Sequence, residues 1–457
     1  MTITIVVTAV FMTNLDLWIV NVALVDIGRD LNSSLSGVSW VLNAYAVTLA
    51  AVLIPAGRLG DRIGHRQVFL IGIAVFTLAS VACAAAPNIV FLVIARVAQA
   101  AGAAAQLPTS LALLLASVEP SRRMSAARGW AAVGAMAAVA GPVLGGLLVT
   151  ISWRWIFVVN LPVGLIAWIA GRRVLPQLPA HEREPMPDPV ASALLIIGVG
   201  TLTGALVEAP SWGWAAPRTM AMVLVSLLAL AMFVHRCRTH PAPMVELAML
   251  RIRRFATANS AAFLFSVAFA IMLLSNALWC QEIWHYSAMR TGLAMVPGPG
   301  MVPFVTYASI PLVRRIGPGR VAALGSLLFA VSMMWRVVFA EPGRDYARDL
   351  LPSMLLGGIA VGLALGTLIA AAATALPPQR AATASAIVNS GRQVASALGV
   401  ALLVTILDAV TDPIHAYQIS WVIAAAVAIG AGAASLALPH ASDAVQAPLP
   451  VTEGVTA

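Results

Sequence analysis

Apolar runs of about twenty residues, separated by short polar breaks, recur along this chain almost from end to end. Wound as a helix, such a run matches a hydrocarbon core of ~30 Å. Backbone groups in lipid must pair within their own segment, so each run predicts a membrane-spanning helix. The pattern places spans at 2–25, 38–57, 68–86, 89–118, 124–151 and 153–170, then at 190–208 and 219–235. Six more follow at 256–280, 291–313, 320–340, 350–376, 381–409 and 414–438. The expected fold class is an all-α membrane protein with about fourteen transmembrane helices. Two six-helix lobes, 1–170 and 256–438, flank a linker at 171–255 that carries an inserted helix pair, and the tail 439–457 reads as disordered and cytoplasmic. The first run lacks a basic leader region and carries Asp16, so it is expected to be a helix of the mature protein and not a signal peptide.

Composition agrees. Of 457 residues, 60% are hydrophobic and 10% charged, with mean hydropathy +0.92. A soluble domain carries about 25% charged residues. The net charge is +9, and all 27 basic residues are arginine. They are scattered among short loops instead of gathered on one domain, which argues against a nucleic-acid surface and for topology determinants. With a cytoplasmic N-terminus, eighteen arginines fall in the loops on the inner side, and seven, among them Arg29, Arg154 and Arg336, fall on the outer side. Both termini are therefore expected in the cytoplasm, in the plasma membrane, with an even number of spans. Cys83, Cys237 and Cys280 stand alone, without disulfide or metal-ligand spacing. No phosphate-binding glycine loop occurs, so neither an enzyme nor an ATP-driven pump is expected, and no cofactor or metal.

The two lobes show weak internal symmetry. Gly57-Arg58-Leu59-Gly60-Asp61-Arg62-Ile63-Gly64-His65-Arg66 follows the second span, and Val313-Arg314-Arg315-Ile316-Gly317-Pro318-Gly319-Arg320 follows the tenth. Each puts a basic, glycine-containing turn between the second and third helices of a six-helix set, the kind of repeat from which many secondary transporters are built. In the first segment Asp61 is placed to pair with an arginine or to cap the third helix, giving a charged latch with Arg62 and Arg66. A plain topology-setting loop is the alternative.

That segment resembles the G-x-L-x-D-R-x-G-R-K loop signature of the major facilitator superfamily. Other segments resemble the fourteen-helix drug:proton antiporter branch of that family: Leu15–Leu24 in the first helix, Arg96-Val97-Ala98-Gln99 in the fourth, Gly141-Pro142-Val143-Leu144-Gly145-Gly146 in the fifth, Trp153–Gly164 in the sixth, and Asn389–Val400 with Arg392 in the thirteenth. Trp18 stands where the branch usually has a small hydroxyl residue, and Ala100 where it has glycine. The matches run in the expected order from about residue 11 to residue 400.

An intramembrane carboxylate is costly and marks function by default. Asp16, in mid-span, is the candidate to bind and release a proton, or else a carboxylate bonded for packing. Arg96 lies within the fourth span and needs a buried acceptor; the resemblance ties it to proton transfer, and a fixed ion pair is the alternative. Gly141, Pro142, Gly145 and Gly146 suit a kinked, closely packed helix, which in the family marks exporters. Asn21, Gln99, Asn389 and Arg392 are candidate cavity residues, and Glu208, Glu282 and Asp408 are outer carboxylates of unassigned use. The resemblance implies a monomeric, proton-driven antiporter that exports small amphipathic or cationic compounds across the lipid bilayer by alternating access. Export of one endogenous metabolite or self-made antibiotic is the alternative, and a transporter-like sensor or importer is the third.

Overall fold

The computed structural model describes residues 2–119, 123–177, 188–241, 243–245, 247–343, 345–373, 375 and 381–438. The tail at 439–457, read above as disordered, lies outside them, as do Arg122, Arg183, Arg344 and Arg380.

Every regular element among the described residues is helical. In chain order the main ones are α1 (Thr2–Asp30), α2 (Leu35–Ile63), α3 (His65–Ala84), α4 (Ile89–Ala116), α5 (Arg123–Val149) and α6 (Trp155–Val158 with Asn160–Val174). The inserted pair is α7 (Pro189–Trp212) and α8 (Pro217–Thr239). The second lobe is α9 (Arg253–Leu278), α10 (Ala288–Met295, Pro297–Ala308 and Ile310–Ile316), α11 (Pro318–Phe339), α12 (Leu351–Ala373), α13 (Ala381–Ala409) and α14 (Pro413–Leu436). Twelve of these are long and apolar enough to span a bilayer. The bent α10, which turns by 54° at Ser309, makes a thirteenth, close to the fourteen read from the pattern; in α5 the apolar stretch is the shorter Met136–Val149.

Local sequence explains the ends. Ser34 accepts a hydrogen bond from the Gly37 amide at 3.2 Å to start α2, and Asn88 accepts from the Phe91 amide at 2.9 Å to start α4. Asp188 accepts from the amides of Val190 (3.1 Å) and Ala191 (3.2 Å), with Pro189 in the first turn of α7. Asp412 and Pro413 repeat the device for α14.

One expectation needs correction. The segment 57–66, read as a loop, is mostly helix: α2 continues to Ile63, and α3 starts at His65. Charge stops an apolar count but does not break a helix. The chain turns only at Gly64, whose φ of 104° is a conformation that glycine tolerates and other residues rarely adopt.

Within the first lobe, α1 packs on α4, α5 and α6, and α3 packs on α4 and α6. In the second lobe, α9 packs on α12, α13 and α14, while α11 packs on α12 and α14. The lobes meet where α2 lies on α13 and α5 on α10, and α1 touches α9. The inserted α7 rests against both α2 and α13, bridging that seam.

Candidate functional site

Two features stand out: a sealed polar cluster inside the first lobe, and a cavity between the lobes.

The cluster is centred on Asp16, which is 0% exposed, and Arg96, 1% exposed. Asp16 sits midway along α1, where helical spacing turns it toward α3, α4 and α6. Arg96 Nη1 donates to Asp16 Oδ2 and, at 2.6 Å, to Gln99 Oε1. Gln99 Nε2 donates to Asp16 Oδ1 and to Ser80 Oγ, each at 2.9 Å. Asn160 Nδ2 donates to Asp16 Oδ1 at 3.2 Å. Arg96 Nε reaches the Val41 carbonyl at 3.2 Å, and its guanidinium lies 4.0 Å from the centre of the Tyr45 ring. Five of the six helices of the lobe thus converge on one ion pair. The spacing of Arg96 and Gln99 puts both on one face of α4, so the pairing of Asp16 with Arg96, left open by the sequence, is what the fold makes. Ser80 and Asn160 are additions that sequence reasoning missed. Asn160 lies inside the quoted sixth-helix segment, so its neighbours were visible but its partner was not.

The cavity, of ≈ 320 Å³, lies between α1 and α5 of one lobe and α9, α10, α12 and α13 of the other. Its wall is largely apolar, with Trp18, Phe269, Met272, Met295 and Met354, and its polar side chains are Asn14, Asn276, Thr306 and Arg392. Of the four expected cavity residues, Arg392 lines it. Gln99 belongs instead to the Asp16 cluster, Asn21 turns back onto the Leu17 carbonyl of its own helix at 3.0 Å, and Asn389 accepts from Arg392 Nη1 at 3.1 Å without lining the cavity. Asn14 and Asn276 were not anticipated.

The glycines of α5 sit where the helices approach closest. A Cβ on Gly141 would fall 2.4 Å from Trp18 Cβ, one on Gly145 2.8 Å from the Ile19 carbonyl oxygen, and one on Gly146 2.6 Å from the Ala288 carbonyl oxygen. Gly292 on α10 answers them: a Cβ there would lie 2.0 Å from the Pro142 carbonyl oxygen. Side chains are excluded on both faces of this α5–α10 crossing.

At the Gly64 end, among the described residues, Asp61 neither caps α3 nor pairs with an arginine; His65 Nε2 approaches its Oδ1 at 3.1 Å. Gly57 packs beside Pro108, and Arg66 donates to the Arg172 carbonyl across to α6. Arg62 stays on the last turn of α2. At the opposite end, Glu282 accepts from the Tyr417 hydroxyl at 3.1 Å, Glu208 accepts from Ser36 Oγ at 2.8 Å, and Asp408 is exposed. Arg154 and Trp153 both donate to Asp30, at 2.6 and 2.8 Å. Arg336, counted above among loop arginines, is a further correction: it is 1% exposed inside α11, donating to Ser353 Oγ at 2.8 Å and to Asn276 Oδ1. A lone arginine near the end of an apolar run looks the same in sequence whether it faces water or the bundle.

A two-lobed bundle of apolar helices, with a cavity at the seam and an ion pair buried beside it, defines a membrane transporter and not an enzyme. The Major Facilitator Superfamily model matches residues 6–400, and the chain belongs to that family. It is 36% identical over 403 residues to the multidrug resistance protein Stp of Mycobacterium tuberculosis, covering 87% of this chain and 74% of that one. It is 34% identical over 396 residues to the tetracenomycin C resistance and export protein of Streptomyces glaucescens, covering 86% and 73%. Among solved structures, an auto-inhibited POT family peptide transporter superposes with TM-score 0.68 at 16% identity over 95% of this chain and 96% of the other, a likeness of fold alone.

Proposed function

We propose that this chain is a proton-coupled efflux transporter, exporting drugs or other amphipathic toxic compounds by alternating access. The observation that carries the reading is the Asp16–Arg96 cluster beside an apolar inter-lobe cavity, in a chain whose relatives carry resistance and export in their names. Asp16 is the proton carrier of this scheme. Proton uptake removes the negative charge that holds Arg96, so the hydrogen bonds joining α1 to α4 and α6 must rearrange. Because α1 also contributes Asn14 and Trp18 to the cavity wall, a shift of α1 changes the space open to cargo. The α5–α10 crossing, where Gly292 faces the Pro142 carbonyl, acts as the closing contact between lobes. The Gly64 turn with Asp61, Arg62 and Arg66 serves as the latch on the inner face. Both termini lie in the cytoplasm in this scheme, the energy comes from the proton gradient with no bound cofactor, and the transporter works as a monomer.

A second reading, export of one endogenous metabolite or self-made antibiotic by the same machinery, draws on the tetracenomycin C resistance and export protein, which is named for a single compound. Susceptibility panels on a deletion strain separate the two: broad sensitisation supports drug efflux.

The test uses purified protein in proteoliposomes, an imposed pH gradient and three dyes of different charge: ethidium, neutral N-phenyl-1-naphthylamine and 8-anilino-1-naphthalenesulfonate. At least one dye should move against its gradient, in an uncoupler-sensitive way, and Asp16→Asn should abolish that movement. No dye movement, or wild-type pumping by the variant, refutes the proposal.

A further inference from the structure

The second lobe carries two guanidiniums within its helices, Arg336 buried and Arg392 half-buried, and neither has a carboxylate within ion-pair distance among the described residues. Arginine keeps its charge in proteins. Arg392 lines the cavity itself; its Nη1 is held by Asn389 at 3.1 Å, and its buried Nε has no hydrogen-bond partner. Arg336 lies one layer back. It donates to Asn276 Oδ1, with Met354 Sδ at 3.6 Å, and both Asn276 and Met354 face the cavity. The first lobe offsets none of this, because its buried carboxylate, Asp16, is already taken by Arg96. Among the described lining residues Arg392 is the one charged group.

A cavity with an uncompensated positive wall repels cations and attracts anions, and the apolar lining strengthens both effects by excluding water. We infer that the cargo of this cavity carries an anionic group, such as a carboxylate, sulfonate or phenolate, which seats on Arg392 where it lines the cavity, while its apolar body lies against Trp18, Phe269 and the methionines. This rests on the transport reading above and narrows it: the cationic compounds that the family resemblance suggested are disfavoured here. Planar, bidentate recognition of an oxyanion is what a guanidinium with unused donors is suited to supply. The volume of ≈ 320 Å³ fits a compound of two or three fused rings.

Binding to the full-length protein in detergent, followed by dye fluorescence, tests the inference without requiring transport. 8-Anilino-1-naphthalenesulfonate and N-phenyl-1-naphthylamine share one aromatic body and differ in the sulfonate. The sulfonate dye should bind more tightly than ethidium. Arg392→Gln should weaken it by about tenfold or more, the loss expected for one charged hydrogen-bonded contact, and leave the neutral dye unchanged, which also shows that the cavity is intact. Arg392→Lys should recover most of the affinity. Equal affinity of Arg392→Gln for the sulfonate dye, or tighter binding of ethidium than of the sulfonate dye by the wild type, overturns the inference. Neither of those results touches proton-driven efflux, which the flux assay judges separately.

Discussion

Replacing Asp16 by Asn keeps the side-chain shape and removes one charge. In the folded protein Asp16 accepts from Arg96, Gln99 and Asn160, and no solvent reaches it. The variant leaves Arg96 as a buried cation facing an amide whose NH2 group has no acceptor to meet. Breaking one partner of such a pair costs about 3–5 kcal/mol, mostly the expense of an uncompensated buried charge. Arg96→Gln strands the carboxylate in the same way and should cost a similar amount. The double variant Asp16→Asn, Arg96→Gln removes both charges and keeps polar partners for Gln99 and Asn160. It should therefore be destabilised by clearly less than the sum of the two single losses, with a coupling energy of roughly 2–3 kcal/mol in favour of the pair. Thermal unfolding in detergent, monitored by tryptophan fluorescence on all four proteins at one pH, measures this. If the double variant is destabilised by the sum of the two single losses, the ion pair is not the organising contact of the cluster and the reasoning fails.

Gly292→Ala should obstruct the α5–α10 crossing, since the added methyl falls on the Pro142 carbonyl; dye efflux should drop while dye binding persists, and unimpaired efflux would show that the crossing is not a moving contact. Gly64→Ala forces a Cβ into a backbone at φ 104° and should cost about 1–3 kcal/mol of thermal stability, whereas Gly57→Ala, which meets Pro108 at an ordinary contact distance of 3.4 Å, should be near neutral. At the start of α7, burial pushes the Asp188 carboxyl up, but the Arg236 side chain and the Ala191 amide outweigh it and hold the carboxyl below its usual range. A carboxyl whose folded pKa is depressed adds stability above its unfolded value, and that stability disappears as pH falls through the folded one. The stability gap between wild type and Arg236→Gln should accordingly be full at pH 7 and close under acid; a gap that widens on acidification would contradict it.

The spans were legible because each apolar run is long enough to cross a bilayer. Asp16 and Arg96 were visible as charges in the wrong solvent. What sequence did not reveal was mutual facing. Gln99 has the same intramembrane polarity as Asn14, yet one serves the ion pair and the other the cavity, and only the rotation of their helices decides which. Gly57 to Arg66 shows the opposite failure: glycine and charge mark a turn in composition, but helix propagation needs only permitted backbone angles, and nine of those ten positions permit it. Arg336 failed for a third reason. Its acceptors, Asn276 and Ser353, come from other helices, and no local pattern around residue 336 reveals them.

Helix α7 lies in the groove between α2 and α13, touching both. In the proposed efflux scheme, a compound dissolved in the lipid would meet this helix on that flank, which leaves the other side of the bundle for lateral entry. The same contact joins the two lobes along one edge. In the alternating-access scheme proposed above, that contact would make the opening hinge-like about the α7 flank instead of a symmetric parting. Shortening or loosening α7 should therefore alter which membrane-dissolved molecules are admitted before it alters how tightly any of them is held.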